Sequence, residues 1–199
     1  MSLKIDNAVS ANEGGNNTMT YHAIKPGLYI ARIHNIEIKE SKKWQSEEME
    51  KKLVFDFALI KNAMSKKDVE DVEGESFMPL RRRVWKWSNP KLRYAFGGEI
   101  KNTQSGDVVA AAGVDITADE VDVEEAIGKV LVVKVDSKKK GDGTLKDVIV
   151  DATPFEGDMK EVEAWIKEAE ELMAQENESR DMHKGKEVED LPWEDGEKK

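Results

Sequence analysis

Residues 26–41 read PGLYIARIHNIEIKES, and this stretch decides the fold. After the Pro-Gly pair, apolar residues occupy alternate positions over 29–33, which is the period of a strand with one buried face. The apolar phase then shifts by one residue at Ile36. A β-bulge near residues 34–35 would produce such a shift, and bulges bend strands at the corners of barrels. The stretch therefore predicts a bent first strand over 28–39.

Four more strands are predicted along the rest of the chain. Alternating or apolar runs place them at about 51–60, 76–87, 129–136 and 145–153. The sequence Ser88-Asn89-Pro90 is a helix start signal, and it predicts a short helix that ends at about Phe96. A helical turn is predicted at 108–112, and a second short helix is predicted to end at Gly128.

Five strands with a helix between the third and the fourth follow the order of the OB-fold, a small Greek-key barrel. We therefore predict a mainly β protein, with a five-stranded OB-fold barrel and a helical insertion between strands 3 and 4. A C-terminal amphipathic helix and an acidic tail complete it. The predicted divisions are a flexible N-terminal arm at 1–24, the OB-fold domain at 25–155, the helix at 156–176 and a disordered acidic tail at 177–199.

The predicted C-terminal helix carries an apolar stripe at helical spacing. Its members are Val162, Trp165, Ile166, Ala169, Leu172 and Met173. Such a stripe needs a covering surface, so we expect it to pack on the barrel or on a second subunit.

The net charge of −10 is distributed unevenly, which matters more than its total. Residues 156–199 hold 16 acids and 7 bases, whereas residues 1–155 hold 25 acids and 24 bases. No run of about 18 apolar residues exists, so no membrane span is expected. The chain has no cysteine, which excludes disulfides and zinc–thiolate sites and fits a reducing cytoplasm.

A cluster of basic and aromatic residues marks the third predicted strand. Residues 77–101 contain seven bases and a single acid, Glu99. Because side chains alternate along a strand, one face carries Arg81, Arg83, Trp85 and Trp87, and the other carries Arg82, Val84 and Lys86. A face of Arg and Trp suits stacking on unpaired bases and contact with phosphates. The alternative is that one Trp is core and the Arg run is a solvated rim.

Two predicted loops add further cations beside this strand. The loop between strands 1 and 2 contains Lys42, Lys43 and Trp44, and the loop between strands 4 and 5 contains Lys138, Lys139 and Lys140. Either run alone is typical of a solvated turn. In an OB-fold, however, these two loops flank the oligonucleotide. We therefore predict nucleic-acid contacts for these six residues together with Arg81, Arg83, Trp85, Lys86 and Trp87.

No motif of an enzyme or a metal site is visible in the sequence. The sequence KKKGDG lacks the spacing of a phosphate-binding P-loop, and no nucleophile–base motif such as G-x-S-x-G occurs. His22, His34 and His183 lack the spacing of metal ligands. We expect a protein without catalytic activity, cofactor or metal.

The C-terminal stretch EVEDLPWEDGEKK places acids on both sides of Leu191, Pro192 and Trp193. A short acidic motif with an aromatic anchor can dock on a basic, apolar pocket of another protein. These three residues are therefore predicted to bind a partner. The alternative is an ordinary surface tail.

The layout of residues 25–155 resembles the single-stranded DNA-binding proteins of tailed phages, an OB-fold family of phage replication and recombination gene clusters. The resemblance is carried by PGLYIARIHNIEIKES, KKLVFDFALI and EEAIGKVLVVKVDSKKKGDGTLKDVIVDATPF. The acidic tail resembles the acidic tip of bacterial single-stranded DNA-binding proteins, although six residues follow Trp193 here. The resemblance implies sequence-independent protection of single strands during phage DNA replication or recombination, in the cytoplasm of the host.

Two other classes remain open from the sequence. A protein–protein module, such as a recombination mediator or an inhibitor of a host enzyme, could use the same Arg/Trp face, because Arg and Trp also dominate binding hot spots. A nuclease would need clustered carboxylates for metal ions.

Overall fold

The computed structural model describes residues 22–43, 46–141 and 143–184, and it describes side chains as far as residue 178. The strands are β1 (Gly27–Lys42), β2 (Met49–Asn62), β3 (Val69–Glu70), β4 (Ser76–Phe77), β5 (Arg83–Ser88), β6 (Arg93–Phe96), β7 (Glu99–Asn102), β8 (Val130–Lys139) and β9 (Leu145–Pro154). The helices are α1 (Gln104–Ala111), a 3₁₀ turn (Val123–Ala126) and α2 (Met159–Lys184). The predicted mainly β fold is confirmed. No helix among these residues is long and apolar enough to cross a membrane.

Five of the strands form one antiparallel sheet in the order β5-β2-β1-β8-β9. Strands β8, β1, β2 and β5 are neighbours in that order, which is the 4-1-2-3 arrangement of a Greek key. The register between β1 and β2 slips between Ile33 and Asn35, so the predicted bulge is confirmed. A second slip lies between Ile30 and Ala31. The extra residue is His34 on β1 in the first slip and Ile60 on β2 in the second, and each bulge increases the bend and twist of the strand that carries it.

The two edge strands of the sheet, β5 and β9, are joined by side chains and not by a backbone ladder. Lys86 Nζ donates a hydrogen bond of 2.9 Å to the carbonyl oxygen of Ile149. Arg82 Nη2 lies 3.1 Å from Asp147 Oδ2 in a buried ion pair. The sheet therefore curls until its edges face each other, and these contacts form a seam between them.

The concave face of the sheet encloses the main core. Phe55 and Phe57 of β2 are fully buried, and their rings stack with centroids 6.1 Å apart. Helix α1 adds Val108 and Val109 to the same cluster. Full burial of one such side chain contributes roughly 1.5–3 kcal/mol to stability.

Helix α2 covers part of the convex face, so the apolar stripe packs on the sheet of its own chain. Val162 and Ala169 are buried against Ile30, Ala58 and Ile60 of the sheet and against Leu80, which precedes β5. Partly buried beside them are Trp165, Ile166 and Met173. Leu172 is the exception, because 40% of it stays exposed. Arg32 pairs with Glu170 at 2.9 Å, and Arg81 pairs with Glu176.

The helix predicted from Ser88 to Phe96 is wrong, because residues 93–102 form the β6–β7 hairpin. Asn89 does not cap a helix. Its side chain accepts a hydrogen bond from Lys91 N at 2.8 Å, which fixes a local turn. Gly97 and Gly98 have φ of +61° and +83°, the conformation of a two-residue hairpin turn. The helical insertion itself is confirmed, since α1 and the 3₁₀ turn lie between β5 and β8.

The predicted third strand, 76–87, is interrupted. Residues 79–82 form a turn in which Leu80 adopts a left-handed φ of +67°, and β4 pairs with β3 outside the main sheet. Leu80 is held there by its backbone N–H, which bonds to Leu59 O at 2.7 Å, and by burial under α2.

Candidate nucleic-acid interface

Strand β5 directs both of its tryptophans away from the core. Trp85 is 37% exposed and Trp87 is 48% exposed. The residues that alternate with them along the strand, Val84, Lys86 and Ser88, are buried. The predicted alternation is therefore confirmed for residues 83–87, whereas Arg81 and Arg82 precede the strand, and the tryptophan face is the solvent-accessible one.

The two rings lie in an open groove with a volume of about 440 Å³. The groove is lined by Lys39, Val54, Val84, Trp85, Trp87, Lys140, Lys146 and Asp147. Val54 is directly opposite Trp87 across the β2–β5 ladder and is almost fully buried. The groove therefore has an apolar floor, aromatic rings along β5 and ammonium groups from two separate hairpins.

An ion pair lies on the same convex face, between the tryptophans and the part of the sheet under α2. Arg83 Nε and Nη2 donate to the two carboxylate oxygens of Asp56 at 3.0 and 2.6 Å, a bidentate pair. Asp56 is directly opposite Trp85, and Arg83 is opposite Ala58, which belongs to the cluster under α2. Partial burial and the Arg83 guanidinium lower the pKa of His34 below its usual value.

The groove lysines come from β1 and from the β8–β9 hairpin. Lys39 Nζ lies 5.9 Å from the ring centroid of Trp87 and 2.6 Å from Glu37 Oε1. Lys140 lies in the turn of the β8–β9 hairpin, and Lys146 follows it on β9. Of these, only Lys140 was predicted. Lys39 and Lys146 border the two predicted loops, but only the strand pairing shows that they reach the same groove.

Several predicted contact residues lie outside the groove. Lys42 pairs with Glu47 at 2.7 Å and Lys43 with Glu48 at 3.2 Å, in the β1–β2 hairpin. Arg81 pairs with Glu176 of α2. The remaining lysines of the second loop, Lys138 and Lys139, are exposed at the end of β8. Trp44, Leu191, Pro192 and Trp193 fall outside the described residues.

Lys86 lies on the opposite side of β5 from the tryptophans. It is 8% exposed, and its ammonium group contacts Ile149 O across the seam. Burial lowers its pKa, while the carboxylates of Asp151 and Asp107 act in the opposite direction. The Lys86 ammonium group therefore lies in the seam and not on the tryptophan face of β5.

Within the part of the chain that the structure describes, no group of three or more histidine, aspartate or glutamate side chains is placed to hold a metal ion. No protein-family model matches this chain, and a search of curated proteins finds no match.

Proposed function

We propose that this protein binds single-stranded DNA without sequence preference in the groove along β5. The observation that carries the proposal is the placement of two half-exposed tryptophans beside three lysines in one groove. Aromatic rings stack on any base, and lysines that follow a groove neutralise phosphates, so the combination needs no base-specific hydrogen bond.

The strand order supports an OB-fold as the architecture of this site. An OB-fold is a partly open five-stranded Greek-key barrel that binds oligonucleotides on its strand 2–3 face, between the loop joining strands 1 and 2 and the loop joining strands 4 and 5. In this sheet, β2 and β5 correspond to strands 2 and 3 of an OB-fold. The β1–β2 hairpin corresponds to the loop joining strands 1 and 2, and the β8–β9 hairpin to the loop joining strands 4 and 5. The seam contacts of Lys86 and Arg82 support this architecture, because they bring the two edges of the sheet together.

The role that fits such an activity is protection of single strands during phage DNA replication or recombination, in the cytoplasm of the host and without catalysis. Partner recruitment through Leu191, Pro192 and Trp193 belongs to the same proposal. It rests on the sequence of the tail.

Tryptophan fluorescence tests the proposal directly. We expect oligo(dT) to quench the emission and a blunt duplex of equal length to do so much less, because a duplex hides the base faces. Replacing Trp85 and Trp87 together by Phe should remove most of the quenching. Trp165→Phe is the matched control, since Trp165 belongs to α2 and its ring packs on the cluster between α2 and the sheet, outside the groove. Equal quenching by duplex and single strand would contradict the proposal.

The protein–protein alternative is favoured by one observation. The Arg83 guanidinium is already paired with Asp56, so its charge is partly neutralised before any phosphate approaches. Trp87 stays half-exposed and can insert into a pocket of a protein partner. A protein partner would fill the groove with an apolar side chain and bind with little dependence on salt. DNA binding instead loses affinity with salt, because bound phosphates release counterions.

A further inference from the structure

The β6–β7 hairpin carries two exposed aromatic rings outside the groove. Tyr94 is 46% exposed and Phe96 is 65% exposed. Tyr94 is opposite Lys101 and Phe96 is opposite Glu99 in the register, so all four side chains share one face of the hairpin. We propose that this face is a second contact for the same DNA strand, which continues from the groove onto the hairpin. The inference rests on the proposed function.

The chemistry of this face repeats that of the groove. Lys101 Nζ lies 5.2 Å from the ring centroid of Phe96, as Lys39 Nζ lies 5.9 Å from that of Trp87. In both places an ammonium group stands beside an exposed aromatic ring, which offers one base a stacking surface. Each ammonium group also forms a solvent-exposed pair with a carboxylate, Glu37 at 2.6 Å or Glu99 at 3.8 Å, which a bound phosphate would replace. The segment between Trp87 and Tyr94 links both faces and carries exposed Lys91, which adds a cation between them.

The two faces are close enough along the chain for one oligonucleotide to touch both. Tyr94 is seven positions after Trp87 along the chain, and an extended chain of that length spans at most about 25 Å. At about 3.4 Å per stacked nucleotide, this distance corresponds to about seven nucleotides. Site sizes of about 4–16 nucleotides per OB-fold include that length.

The hairpin is held rigidly at its base. Arg93 Nη2 donates to Thr117 O at 2.8 Å, and Thr103 N donates to Leu92 O at 2.8 Å. The hairpin forms a two-stranded sheet of its own, separate from the five-stranded sheet. Its aromatic face is therefore formed before any ligand binds, which lowers the ordering cost of a second contact.

A length series of oligo(dT) tests the proposal, with binding read from groove-tryptophan quenching. The test variant is Tyr94→Leu with Phe96→Leu, which keeps apolar bulk and removes both rings. Ile100→Ala is the control, because Ile100 is exposed on the opposite face of the same hairpin. We expect the double variant to bind a four-nucleotide strand like the wild type, and to lose at least about fivefold in affinity for a sixteen-nucleotide strand. Phe96→Tyr alone should keep the wild-type affinity.

Three results would overturn the proposal. Unchanged affinity of the double variant at every length would mean that the hairpin does not touch DNA. An equal loss at four and sixteen nucleotides would mean that the hairpin acts only through the fold. Dissociation of a wild-type dimer by the double variant, seen by sedimentation, would assign the face to self-association. If no oligo(dT) quenches the tryptophan fluorescence of the wild type, the proposal that the groove binds DNA fails together with the proposal for the hairpin. This outcome is distinct from the other three.

Discussion

The two faces of strand β5 reverse the usual distribution of polar and apolar side chains. Its inward face includes the charged Lys86, whereas its outward face carries Trp85 and Trp87 in solvent. Arg82, directly before the strand, is likewise buried. The buried cations have specific partners across the seam, Asp147 and the Ile149 carbonyl, whereas the tryptophans have no comparable cover. The inward face thus serves closure of the sheet, and the outward face is the one available for a ligand.

The largest expected effect comes from the inward face. Asp147→Ala removes the carboxylate that pairs with buried Arg82 and accepts from Ile24 N at 2.9 Å. Breaking a buried pair from one side costs about 3–5 kcal/mol, so the free energy of unfolding should fall by that amount. Urea denaturation followed by circular dichroism measures it. Glu176→Ala is the control. It breaks the half-exposed pair with Arg81 and should cost less than about 1 kcal/mol.

A substitution on the outward face of β5 should instead change DNA binding and leave stability nearly unchanged. Trp87→Ala should weaken binding of oligo(dT) by about 1–3 kcal/mol, the value of one base–aromatic stack, and leave the unfolding midpoint nearly unchanged. A core aromatic truncated to Ala would instead cost about 3–5 kcal/mol of stability. Titration and denaturation of the same preparation distinguish these results. A large loss of stability would show that the ring is part of the fold.

The salt dependence of binding separates the groove lysines from the paired arginine. Lys39→Gln, Lys140→Gln and Lys146→Gln should each reduce the slope of log affinity against log salt by about 0.7, the value of one phosphate contact on a single strand. Arg83→Gln should change the slope less, because its bidentate pair with Asp56 is mostly buried, with side chains only 14% and 16% exposed. The Lys39–Glu37 pair is 46% and 41% exposed, so phosphate can replace its carboxylate more readily. If Arg83→Gln removes a full contact and the lysine variants do not, the strand follows a different path across β5.

The smallest expected effect is a pH dependence from Lys86. Its pKa is lowered in the folded state relative to the ordinary 10.5, because burial disfavours the charged form. Between the lowered pKa and 10.5, the unfolded chain binds more protons than the folded one, so the contribution of Lys86 to stability rises with pH. The unfolding free energy of the wild type minus that of Lys86→Met should therefore increase through that window. A difference that stays flat or falls with pH would contradict the burial of a charged Lys86.

The sequence by itself determined the local pattern of the fold. The alternation over 29–33 and the shift at Ile36 identified β1 and its bulge, because side chains repeat every two residues along a strand. The stripe on α2 was visible at helical spacing, and alternation along β5 placed Trp85 and Trp87 on one face. These features depend on neighbours within a few residues, so the chain alone reveals them.

Tertiary structure decided which of those faces is covered. Alternation does not tell whether the Trp side or the Lys86 side of β5 faces the core, because that depends on the curl that brings Ile149 of β9 over Lys86. Lys39 and Lys146 join one groove only through pairings that link distant parts of the chain. Residues 88–90 carry a helix start signal, yet residues 93–102 form a β-hairpin, which the Gly97-Gly98 turn and the anchoring of its base to Thr117 favour. Long-range packing thus overrode local propensity where the two disagreed.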